Sequence, residues 1–80
     1  MKSDSLWSNE ELKAAVLAYM EMLEKQRKGE SFIKKRYYED LASKFKRNAS
    51  SFEFRMQNIS HVLLTMDREW LVGLAPAKNV

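Results

Sequence analysis

Eighty residues, 45% of them hydrophobic and 31% charged, make enough chain for one domain with a modest core and too little for two. The absence of cysteine excludes a disulfide framework, a thiolate metal site and a cysteine nucleophile, and it suits an intracellular protein. Fourteen Lys and Arg against eleven Asp and Glu leave a formal charge of +3, which favours an anionic partner without demanding one.

The charge is unevenly spread. Met1 to Glu24 carries two bases and five acids, Lys25 to Arg47 nine bases and three acids, and Asn48 to Val80 three of each. The middle third is therefore where an anion-binding surface is expected. No stretch is apolar for the length of a membrane span, and the opening MKSDSLW lacks the apolar run of a signal peptide, so a cytoplasmic location is expected.

Ser8 with Glu11 three positions on is a capping-box pattern, and Trp7 and Leu12 stand at the flanking staple positions. Leu12, Ala15, Val16, Tyr19, Met20 and Leu23 then recur at helical spacing as a stripe that needs burial. Lys25, Arg27 and Lys28 suit the negative end of a helix dipole and Gly29 a left-handed stop, so a first helix is predicted over 9–28. Tyr37 or Tyr38, Leu41, Ala42 and Phe45 line one side of the next segment. Lys34, Lys35, Arg36, Glu39, Lys44 and Lys46 lie mostly on the other, predicting a second helix over 33–46.

After a break at 47–50, Ser50 with Glu53 repeats the capping-box pattern. Phe52, Met56, Ile59 and Leu63 then mark the buried stripe of a third helix over 51–65. Beyond it Gly73 and Pro76 forbid a long helix, while Trp70, Leu71 and Leu74 require burial. Residues 67–80 are expected as an extended arm that lays Trp70 across the open end of the core, near Trp7. The predicted fold is a single all-α domain, a three-helix bundle with a helix-turn-helix-like second and third helix and a C-terminal arm.

Catalytic chemistry finds little support. His61 is the one histidine, so two-histidine metal motifs are excluded. Ser60 beside it cannot form a nucleophile elbow, because adjacent helix residues point about 100° apart and no glycines flank them. Glu21 with Glu24 reads as a solvated pair, and two glycines at positions 29 and 73 make no phosphate-binding loop. No enzymatic activity, metal or cofactor is expected.

A second helix, a short break and a third helix with a polar face make the pattern of a DNA-binding helix-turn-helix, although the break lacks the usual turn glycine. Opposite its buried stripe the third helix carries Ser51, Phe54, Asn58, His61 and Thr65, with Arg55 and Gln57 at the margins. Arginine suits guanine edges, Asn or Gln suits adenine, and an aromatic group suits a thymine methyl. Lys34, Lys35, Arg36, Lys44, Lys46 and Arg47 stand where phosphates would pass.

Each of these features also has a plainer reading. The basic run can be a solvated face, His61 an ordinary exposed histidine, and the tyrosines and five methionines core packing. Phe54 points outward, to the arm, a recognition surface or a dimer face. Asn58 either reads a base or clasps the arm, with base reading slightly favoured.

Taken as a set, WSNEELKAAVLAYMEML, KKRYYEDL, SSFEFRMQNISHVL and WLVGLAPAKNV resemble the small N-terminal module that precedes the nuclease domain in HNH-type and McrA-like modification-dependent restriction endonucleases. The resemblance spans about 6–80, and RMQNIS and PAKNV are its most specific parts. It implies a DNA-associated helical module, with Ser51, Arg55, Gln57, Asn58 and Lys78 as the carried-over positions. The chain departs from that pattern at the turn, where Arg47-Asn48 replaces an arginine-serine pair, and one histidine cannot supply the nuclease.

The expected function is a non-catalytic reading or targeting module for double-stranded DNA. This reading allows a homodimer or a nuclease partner domain and implies no membrane or small-molecule substrate. Its DNA-binding residues would be Lys34, Lys35, Lys46, Arg47, Ser51, Arg55, Gln57, Asn58, His61 and Lys78. The alternative is a protein-interaction or dimerisation module, such as a small phage or defence-system protein, which a chain that opens with Met keeps open.

Overall fold

The computed structural model describes residues 7–77, which form three helices, α1 (Asn9–Lys28), α2 (Lys34–Phe45) and α3 (Ala49–Thr65), followed by an irregular arm. The chain is an all-α three-helix bundle. Lys78 lies outside the described residues.

Both ends of α1 follow from local chemistry. The Glu11 amide donates to Ser8 Oγ at 3.1 Å and the Ser8 amide to Glu11 Oε1 at 2.9 Å, so two donors orphaned by the helix start are satisfied reciprocally. At the far end Gly29 adopts φ 73°, and the Gly29 and Glu30 amides close back on the Gln26 and Lys25 carbonyls. In α2 the same closure places Lys46 at φ 57°, with the Arg47 amide on the Ala42 carbonyl at 3.0 Å. A lysine thus holds the left-handed position that a turn glycine would otherwise fill.

The second capping box does not form. α3 begins at Ala49, two residues before the predicted start, with Asn48 as the extended residue before the helix and no side-chain cap, so Ser50 lies inside the first turn. The reason is the tightness of the turn: once Lys46 reverses the chain, Asn48 already has N-cap geometry. Ser8→Ala should therefore cost about 1 kcal/mol, whereas Ser50→Ala should be close to neutral. Urea denaturation of the two variants checks this, and equal losses would contradict it.

The buried face of α1 is rotated from the predicted stripe. Glu11, Ala15, Tyr19, Met22 and Leu23 are buried, while Val16 and Met20 are exposed at 44% and 42%. Two polar side chains cause the rotation, because Glu11 and Tyr19 each find an interior partner described below. Facing them are Tyr38 from α2, and Phe52 and Met56 from α3.

The arm is part of this core. After Asp67, at φ 58°, the Arg68 amide closes on the Leu63 carbonyl at 2.8 Å and the chain folds back, burying Leu71 and Leu74 completely. Trp70 is only half-buried, and it is not near Trp7. Its carbonyl accepts from Gln26 Nε2, and the neighbouring Glu69 carboxylate accepts from Gln26 and Arg27. Trp70 therefore lies at the C-terminal end of α1, whereas Trp7 precedes the N-terminal end, about 27 Å away along the helix axis. The leucines fill the interior instead because their small apolar side chains need no polar partner there.

Candidate nucleic-acid interface

α2, the three residues 46–48 and α3 have the connectivity of a helix-turn-helix. At the turn, Arg47 is tied inward. Its Nε and Nη2 donate to Glu11 Oε2 at 2.6 Å and Oε1 at 3.0 Å, and its guanidinium carbon lies 4.1 Å from the centre of the Trp7 ring. Both side chains of the pair are nearly sealed from solvent, at 11% and 12% exposure. The Arg47 hydrogen bonds, with the Ser8 amide, hold the Glu11 carboxyl down to about 2 against an ordinary 4.5. The Trp7 ring meets Phe52 edge-on at 5.0 Å. Arg47 thus fastens the start of α1 to the turn, and it is not the free phosphate contact expected from the sequence.

Lys34 is also largely committed. It is half-buried, its ammonium lies 5.8 Å from the Phe32 ring centre, and a Cβ on Gly73 would stand 3.0 Å from it. Lys34 therefore packs under the turn of the arm. Lys35, Arg36, Lys44 and Lys46 remain exposed. Lys35 makes a loose pair with Glu39 at 3.9 Å, and the other three meet no carboxylate among the described residues. Glu39 and Asp40, also exposed, interrupt the basic face of α2 and leave its densest free positive charge at Lys44 and Lys46, beside the start of α3.

On α3 the expected recognition face is only partly open. Asn58 is 7% exposed, and its Nδ2 donates to the Ala77 carbonyl at 2.8 Å. The Ala77 amide donates in turn to the Gln57 carbonyl at 3.1 Å. Asn58 is thus the clasp that holds the arm, because an amide can satisfy a carbonyl that would otherwise end without a donor, and the base-reading expectation for it is corrected. Gln57 and His61 are half-buried beside this clasp, and the Thr65 hydroxyl turns back to the Val62 carbonyl.

What stays open is the first two turns of α3. Ser50, Glu53 and Phe54 are exposed and Ser51 is half-buried. No acidic residue stands in the first turn and no side chain caps it.

Arg55 is half-buried, its guanidinium carbon 4.7 Å from the Trp7 ring centre, and its Nε is sealed from solvent with no acceptor. Burial, and then the charge of Arg47, push its pKa down.

One interior node escaped the reading of the sequence. The Tyr19 hydroxyl accepts from the Leu71 amide at 2.9 Å and lies 2.7 Å from Ser60 Oγ. Its signal was present in the spacing, since Ser60 falls four residues after Met56 and eight after Phe52, on the inward side of α3. A groove of about 360 Å³ between α1 and α2 is lined by Lys25, Ser31, Phe32, Ile33, Arg36 and Tyr37. Beside it the Tyr37 hydroxyl accepts from Lys25 and donates to Glu21, both at 2.8 Å, and the bond from Lys25 to Tyr37 raises the Lys25 pKa. Among the described residues no group of three His, Cys, Asp or Glu is placed to hold a metal ion, and no helix is long and apolar enough to cross a membrane.

Comparison with family models, curated proteins and solved structures finds no match to this chain.

Proposed function

We propose that this chain is a cytoplasmic, non-catalytic DNA-binding module, the targeting part of a restriction-type nuclease system. Its phosphate contacts are Lys35, Lys44 and Lys46, and it meets the major groove with the first two turns of α3, through Ser50, Ser51 and Phe54. The observation that supports this reading is the exposed pair Lys44 and Lys46, which meet no carboxylate among the described residues, beside an uncapped α3 start with no acid in its first turn. Contacts of that kind supply affinity by releasing counterions and carry no sequence information themselves. Because the arm clasps α3 at Gln57 and Asn58, groove entry is confined to the N-terminal end of the helix.

Replacing Lys35, Lys44 and Lys46 together with Gln should weaken binding to every duplex alike and flatten the salt dependence by two to three units, since each phosphate contact contributes about 0.9. An unaltered slope would move the phosphate contacts elsewhere.

The alternative is a protein-interaction module. It is favoured by the exposed Val16, Leu17 and Met20, which cluster on the outer side of α1. On that reading the lysine variants would leave partner binding unchanged, while Leu17→Glu would abolish it.

A further inference from the structure

We infer that Arg55, braced against Trp7, seats one phosphodiester oxyanion of the DNA backbone and does not read a base edge. The inference rests on the DNA-binding reading above and adds a contact that it does not include. Two guanidinium groups, from Arg47 and Arg55, lie 4.1 and 4.7 Å from the centre of one indole ring. Glu11 places both of its carboxylate oxygens on Arg47. Arg55 is left with a full charge, and none of its five N–H groups meets an acceptor among the described residues.

A buried donor without an acceptor is rare in folded proteins and calls for a partner. The positive charge of Arg55 itself makes that partner an anion, and desolvation by burial, then the nearby Arg47, disfavour the charged form of Arg55 in its absence. A planar fork of donors matches two oxygens of a phosphate.

The position fits backbone contact better than base contact. Arg55 lies one turn beyond Ser51, at the edge of the open end of α3, and its residue keeps some solvent contact although Nε is sealed. A guanine reader must extend freely from the helix into the groove, whereas this side chain is held back against the indole at the start of α1. It stands at the margin of the docked surface, where the phosphates run.

The test uses the whole chain with Arg55→Gln and Arg55→Lys, their folding checked by helical circular dichroism. Inorganic phosphate should raise the melting temperature of the parent chain beyond chloride at equal ionic strength, and Arg55→Gln should abolish that increment. On duplex DNA, Arg55→Gln should flatten the salt slope by about 0.9 with the same loss on every sequence. Arg55→Lys should keep the slope and bind several-fold more weakly, because it retains the charge and loses the fork. An unchanged phosphate increment and slope in Arg55→Gln overturns the inference, as does a loss confined to one base position. A phosphate increment in a parent chain that binds no DNA overturns the DNA reading itself, and with it this choice of occupant.

Discussion

Glu11→Gln should lower the stability of the domain by about 3 kcal/mol, the low end of what breaking a buried ion pair costs. For a domain of this size that corresponds to a fall of about 12–24 °C in melting temperature. Glutamine can still close the capping box with Ser8, so the loss isolates the charge and not the cap. What the substitution removes is the Glu11 charge from an Arg47 that is almost sealed from solvent, beside Arg55 and against the Trp7 ring.

The effect must also depend on pH. The folded-state pKa of Glu11, about 2, lies below its ordinary 4.5, so the stabilisation is complete above about 4.5 and is lost as pH falls towards 2. Urea denaturation of parent and variant at several pH values should show a wide gap at pH 7 that closes between pH 5 and pH 2. A gap that is absent at pH 7, or constant with pH, would show that the pair contributes nothing through its charge.

Tyr19→Phe should cost about 2–3 kcal/mol although it removes a single oxygen. It strands the Leu71 amide and the Ser60 hydroxyl together, and each buried orphan costs about 1–3 kcal/mol. Because the Leu71 amide anchors the arm where Leu71 and Leu74 enter the core, amide exchange should accelerate at Leu71 and Leu74 more than in α1. Adding Ser60→Ala removes one of the two orphans and should recover part of the loss, the non-additivity expected of groups in direct contact. A Tyr19→Phe protein within 0.5 kcal/mol of the parent would mean that the node does not hold the arm.

How far the sequence could be read follows from the range of the interactions involved. The limits of α1 were legible because the Ser8–Glu11 box and the Gly29 stop are made by residues a few positions apart. Ser50 and Glu53 show the same spacing without the structure, because a left-handed Lys46 brings the chain back into helix before Ser50 is reached.

The rotated face of α1, by contrast, depends on Arg47, 36 residues from Glu11, and on Leu71, 52 residues from Tyr19. No periodicity records partners at that distance. The basic middle third was visible in composition, but composition does not separate Lys44 and Lys46, which face solvent, from Arg47 and Lys34, which serve the fold. Asn58 shows the same limit on α3: it lies opposite the apolar stripe, where exposure and base reading were expected, and it is buried because Ala77, 19 residues on, folds back over it.

The most direct test of the DNA-binding proposal is the affinity of the parent chain for a short mixed-sequence duplex, followed by fluorescence anisotropy as salt is raised. With three or four phosphate contacts the logarithm of the association constant should fall with the logarithm of salt at a slope of about −3, a loss of several tens-fold between 50 and 200 mM. Absence of binding at low salt, or binding with a slope near zero, contradicts the account and favours the protein-interaction reading.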